Sequence, residues 1–359
     1  MPGVYISYPF CTQKCSFCNF ASGVSTAEAK HVYHAALLEE IRSHRWKWEP
    51  QTVYFGGGTP SLMPLPQLTE LLASIPAQSL REVTIECAPG TLTAETVAQW
   101  RCLGINRVSL GVQSFITEEL RQTGRRHTAA TVESDMGLLR AAGIKNINID
   151  LIAGLPGQTR ASWETSLDFL ERIKPPHASV YIFEIDEDSR LGKEALLGGV
   201  RYGASILPTE NLTAELYERA VERLAELGIQ RYEISNFAEA GRQSLHNLKY
   251  WNLEPYIGFG LDASSFDGTR RWSNADTLEV YLKGSTEVPS LTDAAEEHFF
   301  VGLRLSDGIE PTEPEWSRFA DPIAKWIGEG MLEQNGPRLR LADRAILFSN
   351  EILQDFINA

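Results

Sequence analysis

YISYPFCTQKCSFCNF, residues 5–20, decides how the rest of the chain is read. It opens on the end of a short β-branched run, Val4–Ser7, which predicts a strand, and then sets Cys11, Cys15 and Cys18 in a CxxxCxxC spacing. Three thiolates at this spacing suit three corners of a cubic 4Fe-4S cluster and leave the fourth iron without a protein ligand. A cluster held by four thiolates can only pass electrons, whereas an open iron can be chelated by a small molecule. Zinc is the alternative. Structural zinc takes four closed ligands, usually as two pairs, and no second Cys or His pair follows here. The spacing favours the cluster without closing the zinc reading.

Working outward, Gly56-Gly57-Gly58-Thr59-Pro60 follows the apolar run Thr52-Val53-Tyr54-Phe55. Alone, such a run is a phosphate cradle, a dinucleotide turn or a tight bend, and no GxGxxG or GKS/T completes a nucleotide fingerprint. Its position at a strand end is what matters, because glycine there lets another backbone or a ligand come close. Further strand-like runs recur at 82–86, 107–111, 146–151 and 179–183, each separated by an amphipathic stretch. Helices are expected to stop at Gly104, Gly143 and Gly228, directly before strand residues. Ser25 and Glu28 predict a capping box before a helix over 29–43. The alternation implies parallel strands with helical crossovers. Six or seven such units are too few for a closed eight-stranded barrel.

The 359 residues are 43% apolar and 22% charged, as in ordinary globular proteins. A net charge of −14 disfavours broad contact with nucleic acid, and no stretch resembles a signal peptide or a membrane span. The expected setting is cytoplasmic. Free thiolates are needed for cluster assembly, so the five cysteines fit a reducing compartment, with Cys87 and Cys102 expected as buried packing residues. Arg125, Arg126, Arg270 and Arg271 are candidates for a local basic pocket, at least two of them being expected as solvated surface charges.

The cysteine stretch and FGGGTPSL (55–62) are joined by IECAPGTL (85–92), RVSLGVQSF (107–115), TGRRH (123–127), NIDLIAGLPGQT (148–159) and HNLKYW (246–251). In this order they resemble the radical S-adenosylmethionine superfamily, and within it the branch of oxygen-independent coproporphyrinogen III oxidases (HemN-like) and HemW-type heme chaperones. The resemblance implies an α/β fold, an incomplete (β/α)6 barrel with a small C-terminal α+β, winged-helix-like module. It implies a 4Fe-4S cluster on Cys11, Cys15 and Cys18 and S-adenosylmethionine (SAM) contacts from Tyr5, Phe17, Gly57, Gly58, Thr59, Glu86, Gln113, Arg125 and Asp150. Each polar residue of this set could equally be a satisfied barrel-interior group; the ordered set is what favours cofactor contact. The implied chemistry is one-electron cleavage of SAM to a 5′-deoxyadenosyl radical, with the barrel orienting the cofactor and excluding water and oxygen. The expected division is 1–235 barrel core, 236–290 irregular connector carrying HNLKYW, and 291–359 C-terminal module. Within that module, helices are expected over 294–302, 314–328 and 344–356, with a hairpin around RLRLA; DNA binding by it is disfavoured by the acidity.

Two details choose within the branch. Oxidases of this type carry a further cysteine two positions after the third, where this chain has Phe20, and HNLKYW matches the HNxxYW signature associated with heme binding. As an isolated string, His, Tyr and Trp within six residues are more often packing. Ser7 stands where the family usually has histidine, Tyr8 where an aliphatic residue is usual, and Asp262-Ala263-Ser264 replaces a GAH-like turn. These departures leave His246 as the leading axial-ligand candidate, beside His34, His127 and His298. The leading expectation is a heme chaperone that hands heme to an acceptor protein and draws on an electron donor. The alternatives are oxidative decarboxylation of coproporphyrinogen III, or another radical reaction on a tetrapyrrole, and a merely structural cluster protein.

Overall fold

The computed structural model describes residues 2–284 and 286–357. Met1, Ser285, Asn358 and Ala359, which fall inside the expected divisions, lie outside the described residues. Six parallel strands form the frame: β1 (Gly3–Tyr8), β2 (Thr52–Gly57), β3 (Glu82–Cys87), β4 (Arg107–Gln113), β5 (Asn146–Ala153) and β6 (His177–Ile182). They pair in chain order, β1-β2-β3-β4-β5-β6, which is the order that successive right-handed crossovers produce. Five of the strands run one or two residues past the end of the β-branched runs, because ladder bonds carry on through residues such as Gln113, whereas β6 starts two residues before the run at 179–183 and stops at Ile182. Val53, Phe55, Ile85, Val108, Leu110, Ile147 and Ile149 are fully buried, as both faces of a parallel sheet must be.

Helix ends follow local chemistry. The first crossover helix, Ala27–Ser43, is capped by Thr26, whose hydroxyl accepts from the Ala29 amide at 3.2 Å. The cap is thus one residue later than the expected Ser25. The helices Ala94–Cys102, Ala129–Ala141 and Glu210–Glu226 close within two residues of Gly104, Gly143 and Gly228, each with φ above +80°, as their sequence predicts. Cys87 is buried, but Cys102, on the outer face of its helix, is exposed.

The segment over 236–290 departs from the irregular connector read in the sequence. After β7 (Gln230–Arg231), it contains β8 (Asn236–Ala238), the helix Leu245–Trp251, β9 (Tyr256–Phe259), β10 (Ser264–Phe266), β11 (Arg270–Ser273) and β12 (Ser290–Leu291). β9 lies parallel against the free edge of β1, pairing Tyr5 with Gly258, while β8 runs antiparallel to β6. The sheet therefore has twelve strands among the described residues, ordered β12-β11-β10-β9-β1-β2-β3-β4-β5-β6-β8-β7. The strands are short and rich in Ser, Gly and Arg, so their periodicity is too weak to read locally; edge pairing organises them.

The C-terminal module packs the rings of Phe299, Phe319 and Phe356 against one another, with centroids 4.5–5.7 Å apart. The helix expected over 314–328 breaks at Phe319 into Glu313–Arg318 and Ala320–Gly328, which turns that ring into the core. The hairpin Leu332–Asn335/Arg338–Leu341 follows. Among the described residues no helix is long and apolar enough to cross a membrane.

Candidate functional site

The loop after β1 is fastened from several sides. The Gly58 and Thr59 amides donate to the carbonyls of Tyr8 (2.8 Å) and Phe10 (3.0 Å), and the Cys11 amide donates to Gly23 (2.9 Å). A Cβ on Gly58 would stand 2.7 Å from the Pro9 carbonyl carbon, so only glycine lets the two loops touch. The close approach predicted for this glycine run is made here by another stretch of backbone. On the far side, the Ser16 amide donates to Thr123, and the Leu191 amide donates to Ser16. The three cysteines are free thiols on this short, pinned loop. Burial pushes the Cys11 thiol up, while hydrogen bonds from Thr59 and Ser22 pull it back; cation binding reverses such a burial effect. Among the described residues no three His, Cys, Asp or Glu side chains form a site for one metal ion. Ligands of a cubane serve three different irons and are spread wider than that.

The strand ends beside the loop carry the remaining expected contacts. Glu86, one position before the end of β3, accepts from the Tyr54 hydroxyl (2.9 Å) and from the Gly57 amide (3.1 Å), the latter offered because Gly57 has φ +106°. Burial first, and the neighbouring Asp150 second, push the Glu86 carboxyl up to about 7. Burial likewise raises Asp150, although Ser109 (3.0 Å) and Asn148 (2.7 Å) donate to it. Gln113 ends β4 with φ +68°, a left-handed conformation that costs a non-glycine residue about 1–3 kcal/mol. Arg125 donates from Nη1 to the Gly111 carbonyl (2.5 Å) and sits 5.9 Å from the Phe17 ring, while its buried Nε has no partner. Free thiols, an unpartnered guanidinium N–H and two partly buried carboxylates form a donor set that fits an iron–sulfur cluster and a zwitterionic nucleoside such as SAM. Tyr5 stacks on Tyr54 at 6.0 Å.

His246 is placed differently. It is fully buried in the Leu245–Trp251 helix, with Nδ1 2.8 Å from Thr52 Oγ1 and Nε2 2.8 Å from the Tyr250 hydroxyl. Burial holds its imidazole down at about 3, hence neutral. Both ring nitrogens are engaged, so in this arrangement His246 offers an iron no free lone pair, contrary to its reading as the leading axial ligand. His34, His127 and His298 bond instead to Glu70, the Val112 carbonyl and Glu315.

The helix itself is seated on Glu82, whose buried carboxylate accepts from Ser244 Oγ and from the amides of Leu245 and His246 at 3.0–3.4 Å. Glu82, Tyr54, Asn148, His177 and Tyr232 were missed by sequence reading. Asn148 links Asp150 to His177, and His177 continues to Tyr232 (2.9 Å), which accepts from the Ser244 amide. For Tyr54, Glu82, Asn148 and His177 the signal is period-two alternation along the strands, which aims every second residue into the barrel, whereas Tyr232 lies just past β7.

Between the barrel mouth, this helix and the C-terminal module lies a cavity of about 640 Å³. Tyr5, Phe20, Tyr250, Trp251, Arg271 and Phe300 are among its lining residues. Arg271 is bound to Glu297 through two hydrogen bonds of 2.7 Å, whereas Arg126 and Arg270 are exposed.

A sequence profile of the radical SAM superfamily matches residues 5–170, and one of the HemN C-terminal domain matches 290–348. The heme chaperone HemW of Lactococcus lactis is 32% identical over 98% of this chain and 96% of its own. That of Bacillus subtilis is 31% identical over 99% of each. The chain belongs to the radical SAM superfamily, in its HemN/HemW branch. Membership implies a 4Fe-4S cluster and SAM. Coproporphyrinogen III oxidase (HemN) from Escherichia coli shares the fold, with a TM-score of 0.84 at 20% identity, covering 99% of this chain and 90% of that one.

Proposed function

We propose that the protein is a heme chaperone: it holds a 4Fe-4S cluster on Cys11, Cys15 and Cys18, binds SAM in the barrel mouth, and carries heme in the 640 Å³ cavity to an acceptor protein. The observation that carries this reading is the cavity wall, where Tyr250 and Trp251 of the HNLKYW motif face the same space as Tyr5 and Phe20 of the cysteine stretch. Its volume lies in the range of pockets that enclose small ligands, and its aromatic lining suits a flat macrocycle. When bound, cluster and SAM together supply one-electron chemistry. The chain's own part is to hold and shield them: Gly57, Gly58 and Thr59 shape the loop, Glu86 and Asp150 accept from hydroxyl or ammonium donors, Arg125 meets a carboxylate, Phe17 covers the adenine side, and Gln113 closes the rim. We further read the setting as cytoplasmic and reducing, in keeping with five free cysteines, and the reductant as a separate electron donor.

Phe20 lines the cavity where the oxidases carry a cysteine, which favours carriage over decarboxylation. Anaerobically reconstituted protein should take up hemin at one equivalent and pass it to apomyoglobin as a surrogate acceptor. It should leave coproporphyrinogen III unchanged in the presence of SAM and a reductant. Formation of protoporphyrinogen, or no hemin uptake, overturns the reading.

A further inference from the structure

Among the described residues, the cavity that the heme-chaperone reading rests on has no histidine, cysteine or methionine in its wall. Three tyrosines, Tyr5, Tyr250 and Tyr256, are among its lining residues. They are not equivalent. The Tyr256 oxygen takes a hydrogen bond from Arg271 Nη1 at 2.8 Å, which keeps it engaged at the rim. Tyr250 has an imidazole beside it: its hydroxyl lies 2.8 Å from His246 Nε2, and the other nitrogen of that ring is fixed by Thr52. His246 and Tyr250 are four residues apart on one helix, so the spacing of the motif itself sets histidine and phenol side by side on one face.

We propose that Tyr250, not His246, is the iron ligand for ferric heme in this cavity, and that His246 is a positioning residue that orients and hydrogen-bonds the ligating oxygen. Ferric iron is a hard cation that accepts a phenolate well, and tyrosine is an established class of axial heme ligand. As the Fe–O bond forms, the phenol O–H bond breaks and one proton is released to solvent. The iron is ferric before and after. His246 stays neutral, carries its hydrogen on Nε2 and donates to the phenolate, while the Thr52 hydroxyl donates to Nδ1.

Trp251, the next residue, also lines the cavity, so two consecutive aromatic residues of the motif border it.

The test is hemin titration of the full-length, cluster-reconstituted protein, read by visible absorption, electron paramagnetic resonance and resonance Raman. The wild type should show a phenolate-to-iron charge-transfer band and phenolate Raman modes. Tyr250→Phe removes one oxygen and keeps the ring; it should lose both signatures and bind hemin at least tenfold more weakly. His246→Gln retains an amide donor at the same place; it should keep phenolate ligation with a shifted band. A Tyr250→Phe protein with the wild-type spectrum, or a His246→Gln protein that loses the bound spectrum while Tyr250→Phe keeps it, overturns the ligand assignment alone. Absence of hemin uptake by the wild type removes the heme-chaperone reading together with it.

Discussion

The barrel mouth and the seat of the Leu245–Trp251 helix are built from the same kinds of buried polar side chain, yet their hydrogen-bond books balance differently. At the seat the named groups are matched: Glu82 accepts three times, His246 uses both nitrogens, and Tyr232 joins His177 to Ser244. At the mouth burial raises both Glu86 and Asp150, with Asp150 adding to the rise at Glu86, Arg125 Nε is unpartnered, and Gln113 is held in a left-handed conformation. A satisfied buried network fixes one geometry, whereas an unsatisfied one is stabilised by whatever binds there. The contrast casts the seat as support and the mouth as the proposed binding site.

The strongest attempt to break this contrast is Cys15→Ala. Iron and sulfide after anaerobic reconstitution should fall to background, while the unfolding free energy of the cluster-free protein in urea changes by no more than about 0.5 kcal/mol, since the residue lies on a loop. Glu82→Ala should do the reverse, losing about 3 kcal/mol in urea unfolding as three donors lose one charged acceptor, with cluster content retained. If Glu82→Ala loses no stability, the seat is not structural. Arg125→Lys keeps the charge but gives up the planar fork at Gly111; the SAM dissociation constant should rise about tenfold, about 1.4 kcal/mol, with unfolding unchanged.

The smallest effect is one of slope. The folded Glu86 carboxyl, at about 7, lies above its ordinary 4.5, so the folded state holds this proton more tightly than the unfolded chain. Its contribution to stability is complete below about 4.5 and is lost as pH rises through about 7. Glu86→Gln should flatten urea midpoints between pH 5 and 8. Over the same interval SAM binding to the wild type should strengthen, because the ionised carboxylate is the better acceptor. An identical slope in wild type and variant would place the titration elsewhere.

Legibility in the sequence followed the range of the interactions. Cys11, Cys15 and Cys18, the glycine run and the glycine stops are each defined within a few residues, so spacing alone exposes them. Glu82 and Tyr54 read as ordinary strand residues, because their partners lie 32 to 164 positions away. The strands beyond residue 236 were hidden for the same reason: β9 is a strand because β1 offers it an edge. Cys102 looked like a packing residue by type, and only the helix's orientation exposes it.

The amino-acid sequence by itself determined the parallel βα frame, the three-thiol loop and the family, because strand period, helix stops and ligand spacing are set by covalent geometry over short stretches. Only the tertiary structure decided which residues of HNLKYW line the cavity. Burial and hydrogen-bond partners, drawn from β2 and β3, commit His246 to the fold and leave Tyr250 and Trp251 facing the space where a ligand would lie.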